Sequence, residues 1–184
     1  MPVWAWIVIG IVLVVGAASA AYRQRRSRGL KDRFGPEYER AVAERGGRWK
    51  AESELAARQR RRKELDIRPM DPASRERYAK DWRSAQARFV DDPSGAVGEA
   101  DRLVMVVMRE RGYPMEEFEQ RSADISVDHA DVVDDYRAAH GISLANDHGQ
   151  ANTEDLRQAM VHYRRLFENL LESGGEGRRT AEMG

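Results

Sequence analysis

The balance of apolar and polar positions changes in distinct steps along this chain. From Val3 to Tyr22 no residue is charged and nearly all are apolar. From Arg23 to Asp66 charged residues dominate, and the few apolar ones keep no steady period. From residue 67 to 172 apolar side chains return at spacings of three and four, the signature of helices with one buried face. Residues 173–184 are polar and glycine-rich, a composition that predicts a disordered tail.

The first run predicts a single-pass transmembrane helix over residues 1–22. A helix of this length rises ~30 Å, the thickness of a bilayer's hydrocarbon core. Trp4 and Trp6 stand near one end and Tyr22 at the other, where interfacial aromatics belong. Arg23, Arg25, Arg26 and Arg28 follow at once and are the candidate contacts to anionic lipid headgroups. By the positive-inside rule these arginines stay in the cytoplasm, which puts the N-terminus outside and the body inside at the cell membrane. The alternative is export after cleavage of a signal peptide, for which Ala18-Ser19-Ala20 offers a small-x-small site. Against it, the positive charge follows the apolar core instead of preceding it, and the core is longer than such signals use.

Residues 23–66 predict a basic helical stalk. Pro36 suits the first turn of one helix, Gly46-Gly47 interrupts it, and a second runs from Arg48 to about Leu65. Trp49, Leu55, Ala56, Ala57 and Leu65 make no continuous stripe, so this element reads as a bridging or coiled-coil pairing helix, with self-association as one outcome.

Residues 67–172 predict a helical bundle. Asp71-Pro72 and Asp92-Pro93 each place a capping carboxylate before a proline at the first helical position. Tyr78, Trp82, Ala85 and Phe89 then share one face, as do Ala96, Ala100, Leu103, Val104, Val107 and Met108 in the next helix. Gly112 closes that helix, a shorter one covers about 114–124, and another covers about 129–145. Asn152 caps the last, whose stripe is Leu156, Ala159, Met160, Tyr163, Leu166, Phe167 and Leu170. No strand-like alternation occurs. The fold class is therefore all-α: one N-terminal transmembrane helix, a charged stalk and a small antiparallel bundle.

Two stretches carry a resemblance. They are Trp82-x-x-x-Gln86-x-x-Phe89-Val90-Asp91-Asp92-Pro93-x-x-Ala96-Val97-x-x-Ala100-Asp101-x-Leu103-Val104 and Thr153-Glu154-Asp155-Leu156-Arg157-x-Ala159-Met160-x-x-Tyr163-Arg164-x-x-Phe167. Together they resemble an uncharacterised family of bacterial helical proteins with no known activity. The resemblance covers about 70–172 and implies a recurrent helical module joined to differing N-terminal segments.

Composition refines this picture. The 184 residues have a formal net charge of zero, but the halves differ. Bases exceed acids before Asp66, whereas acids exceed bases about threefold between Asp91 and Asp155. Arg58, Arg60, Arg61, Arg62 and Lys63 form the densest basic run, which either binds an anionic polymer or surface or docks on the chain's own acids. Asp124, Asp128, Asp131 and Asp135 are the candidate acidic interaction face, with Asp134 beside them. The absence of cysteine excludes disulfides and thiolate metal sites. His129, His140, His148 and His162 make none of the established metal-ligand spacings; His140 reads as a core residue, the others as cap, loop and surface. No phosphate loop or nucleophile elbow appears. No catalytic, cofactor-binding or metal-ligating residue is assigned.

The sequence thus predicts a membrane-anchored, non-enzymatic helical binding or scaffolding module. It would meet membrane lipid through the anchor and a protein partner through the bundle. The alternative is charge-driven binding of anionic lipid or nucleic acid through the basic stalk, although no nucleic-acid motif accompanies the charge.

Overall fold

The computed structural model describes residues 3–172, with side chains from residue 13 onward apart from positions 23 and 26. Among the described residues all regular structure is helical and no strand occurs. The helices are α1 (Val3–Phe34), α2 (Pro36–Arg45), α3 (Arg48–Glu64), α4 (Pro72–Arg88), α5 (Pro93–Glu110), α6 (Phe118–Ile125), α7 (Val133–Asp147) and α8 (Thr153–Glu172). The expected disordered tail lies outside the described residues. The chain divides into two compact units, residues 1–56 and 57–184, so the expected stalk contributes to both.

In the first unit α1 continues past Tyr22 and through the basic cluster to Phe34. It stops because Gly35 takes a positive φ of 46° and Pro36 has no N–H to offer an ongoing helix. Pro36 instead opens α2, which ends at Gly46 in the left-handed region. Leu30, Phe34, Tyr38, Ala41, Ala51 and Leu55 form the buried apolar residues of this unit. The same unit leaves Leu13, Val14, Val15 and Tyr22 more than half exposed, and Trp49 81% exposed.

Among the described residues no helix is long and apolar enough to cross a membrane. The side chains of residues 3–12, the first half of the expected span, lie outside those described, so the described part does not supply the expected transmembrane helix.

The second unit is a helical bundle built as the apolar stripes require. Asp71 accepts a hydrogen bond from the Ser74 amide at 2.9 Å and Asp92 from the Gly95 amide at 2.9 Å, which start α4 and α5. Asn152 Oδ1 accepts from the amides of Glu154 and Asp155, while Asp155 accepts from the Asn152 amide, a reciprocal box at the head of α8. The α8 stripe is buried along its whole length, from Leu156 to Leu171, and Trp82 stacks on Phe167 with centroids 4.7 Å apart.

Direction follows from the pairs that meet. Arg88 reaches Glu99 and Tyr78 reaches Glu110, so α4 and α5 are antiparallel. Ser94 meets Asn146 and Asp135 meets His162, so α7 runs against both α5 and α8. Tyr163 donates to Asp101 and Arg111 to the Leu170 carbonyl, which makes α5 and α8 direct neighbours running the same way.

Two elements start later than the residue pattern predicts. Residues 114–117 stay extended, because Pro114 follows the turn at Gly112 (φ 93°) and α6 begins only at Phe118. Residues 126–132 form turns, so α7 begins at Val133 and not near 129.

Candidate functional site

The acidic residues of the second unit were expected on one helical face. The late start of α7 prevents that: Asp124 ends α6, Asp128 and Asp131 sit in the intervening turns, and only Asp134 and Asp135 ride on α7. Each then finds its own partner within the chain.

Asp124 is 1% exposed, and its carboxylate accepts from Arg61 Nε at 3.0 Å and from Gln120 Nε2 at 3.0 Å. Arg61 also spans to Glu116 Oε1 at 2.8 Å. Arg62 pairs with Asp128, which also accepts from the Tyr113 hydroxyl at 3.1 Å. Arg58 Nη1 donates to Ser126 Oγ at 3.2 Å. The basic end of α3 is thereby fastened to α6 and the turns after it, three arginines against a hydroxyl and three carboxylates. Asp131 accepts from Asn169, and Asp135 from His162 at 2.5 Å and Arg165 at 3.2 Å. The bonds between an arginine and a carboxylate are charge-assisted, stronger than neutral ones where water is excluded.

Behind this layer lies a buried polar cluster that the residue pattern did not reveal. His129, expected as a helix cap, is 1% exposed and packed among Tyr113, Arg111 and Asn169. One tautomer fits its neighbours: Nδ1–H donates to Asn169 Oδ1 and the Nε2 lone pair faces the Arg111 Nη1 donor at 3.4 Å, while the Tyr113 hydroxyl, 3.1 Å from Nε2, gives its one proton to Asp128. Burial pushes the His129 imidazole below its usual pKa, and the Arg111 guanidinium adds to that. Arg111, itself 5% exposed, satisfies its donors on the carbonyls of Leu170 (2.9 Å) and Arg68 (3.4 Å). Burial raises the Tyr113 pKa, keeping the hydroxyl protonated as a donor. A neutral imidazole and a buried cation, with a phenol beside them that donates to a carboxylate, tie the end of α5, the 126–132 turns and α8 together.

The other histidines are placed separately. His140 is half-buried and stacks on Phe118 with centroids 3.8 Å apart, and burial lowers its pKa. His148 is exposed at the end of α7, with Nδ1 2.6 Å from the Leu144 carbonyl. Among the described residues no three His, Asp or Glu side chains gather as a metal-binding group.

The two resemblance-bearing stretches meet on the opposite flank. Gln86 and Phe89 of α4 and its end join Arg157, Met160, Val161 and Arg164 of α8 around a shallow hollow of about 180 Å³. Val90 stands next to it, 84% exposed. Arg157 is clamped by Glu154 and Arg164 by Glu168 at 2.7 Å, so the hollow is apolar at its floor with paired charges on its rim.

Of the expected headgroup contacts, Arg25 and Arg28 are exposed on α1, and the side chains of Arg23 and Arg26 lie outside those described. No family profile, curated protein or solved structure matches the chain.

Proposed function

We propose that this chain is a membrane-anchored, non-enzymatic module that binds or scaffolds a protein partner through its helical bundle. The observation that carries the reading is the outward face of α1. Leu13, Val14, Val15 and Tyr22 lie 58–69% exposed on a helix that then presents Arg25 and Arg28. Contiguous apolar side chains on a helix require a covering phase, and an apolar run followed by arginines suits a bilayer entered from its basic side. The topology is N-terminus outside and body cytoplasmic, with cleavage after Ala20 and export as the competing fate.

The binding role rests on the bundle's surface. Its polar side chains are largely spent on one another, while the hollow at Phe89, Met160 and Val161, with Val90 beside it, offers an apolar seat for a partner side chain.

The test combines fractionation with crosslinking in cells. The full chain should stay with membranes through alkaline carbonate and keep its N-terminal residues by mass. A partner should crosslink to the full chain and be lost when residues 70–172 are removed. Release by carbonate or a mature chain beginning near Ala21 would refute the anchor. Capture of the same species with and without residues 70–172 would refute the module.

A further inference from the structure

The first unit contains a concave surface of about 1140 Å³ that neither the anchor nor the bundle explains. Its lining combines apolar and cationic groups. Ala18 and Tyr22 of α1 and the exposed Trp49 of α3 share it with Arg28, Lys31 and Arg48. Ala18 and Arg28 are separated by ~15 Å along the helix axis, at ~1.5 Å per residue. We propose that this concavity binds the phosphodiester headgroup of an anionic phospholipid, with the glycerol and upper acyl region against Tyr22 and Trp49. The proposal rests on the membrane placement of α1.

The charges favour an anion. The lining holds three cations, Arg28, Lys31 and Arg48, and one carboxylate, Glu52. That carboxylate is already satisfied: it accepts from Ser27 at 2.5 Å and from Tyr38 at 2.9 Å. Lys31 is engaged by Glu39 at 2.7 Å. Arg28 and Arg48 form no salt bridge among the described residues, and their planar guanidinium groups suit the paired oxygens of a phosphate.

The exposed aromatic rings of the lining distinguish a lipid from a soluble phosphate ester. Trp49 and Tyr22 are 81% and 69% exposed, amphipathic rings of the kind that lie at headgroup depth. A soluble ester would meet the cations and leave these rings in water.

Native mass spectrometry of the full chain, loaded in turn with phosphatidylglycerol and phosphatidylcholine, tests this. Wild type should retain several-fold more phosphatidylglycerol, about fivefold for each arginine engaged. R28Q and R48Q together should bring retention to the phosphatidylcholine level. K50Q removes the same charge from an exposed site on α3 outside the concavity and should leave the preference intact. Millimolar glycerol 3-phosphate should not displace the lipid; if it does so fully, the site takes a soluble phosphate ester instead. Equal retention of the two lipids by wild type, or an equal loss in K50Q and R28Q, would overturn the proposal. These failures differ from failure of the anchor. A chain that resists carbonate without headgroup preference has an anchor and no site, and a chain that washes off yet keeps the preference has a site and no anchor.

Discussion

The two units spend their side chains differently. In the second, apolar stripes are covered by neighbouring helices and arginines from α3, α5 and α8 are matched to carboxylates or carbonyls of the same unit. In the first, a short core from Leu30 to Leu55 suffices for folding, while Leu13, Val14, Val15, Tyr22 and Trp49 face outward and Arg28 and Arg48 stay unbridged. Burying an apolar side chain stabilises by ~1.5–3 kcal/mol, and an exposed one forgoes that gain unless another phase or molecule covers it. The difference sets a second unit whose stripes and charges are largely met within it against a first unit that leaves apolar side chains and arginines exposed.

Substitutions in the second unit should therefore cost stability, and those on the outer face of the first should not. The largest effect is expected from Phe167→Ala. It removes the ring stacked on Trp82 at the bundle's centre and should cost ~3–5 kcal/mol in urea unfolding. Gly112→Ala comes next. A Cβ there would lie 2.3 Å from the Asp66 carbonyl on a backbone with φ 93°, and the loss should be ~2–3 kcal/mol. The 65–70 connector should loosen with it, visible as faster amide exchange at Arg68, whose N–H now donates to the Arg111 carbonyl at 2.8 Å.

Arg61→Gln should cost about 1–2 kcal/mol, because Asp124 would remain buried without its cation. A double-mutant cycle with Asp124→Asn should recover part of that loss; strict additivity would show that Arg61 and Asp124 do not couple.

Acid offers a subtler discrimination. His129 and His140 have pKa values below the ordinary 6.5 because burial disfavours the charged ring. The unfolded chain then binds protons more readily than the folded one. Stability should decline as pH falls through about 6.5 and level off below the depressed folded values. Melting of the full chain between pH 8 and 5 checks this, and His129→Gln should flatten the profile. A flat wild-type profile would mean that both rings are solvated.

The smallest effect on folding is expected from Trp49→Ala, within ~0.5 kcal/mol, since its ring is exposed. The same variant should reduce binding to phosphatidylglycerol vesicles. A stability loss much above that would place Trp49 in a packed interface and erase the contrast between the units.

The residue pattern carried the helices well where neighbours in sequence decide the outcome. The caps at Asp71, Asp92 and Asn152, the prolines after them and the α8 stripe act over three or four residues, and each element stands where those signals put it. The start of α7 was misread because His129 was taken as its cap, and local turns after Ser126 won instead. The shallow hollow and the concavity were not legible at all, since each needs residues from separate helices.

What the sequence determined by itself was the all-helical class, the helix opening at Pro36, the breaks at Gly46 and Gly112, and the apolar stretch before the arginines. What only the tertiary structure decided was which distant charges pair. Arg62 meets Asp128, and Arg58 meets Ser126, 68 residues away. His129 disappears into a cluster with Arg111 and Asn169. Helix periods and caps are set by contacts a few residues apart, whereas a charge is attracted to any opposite charge and pairs with the one the packed helices bring within reach.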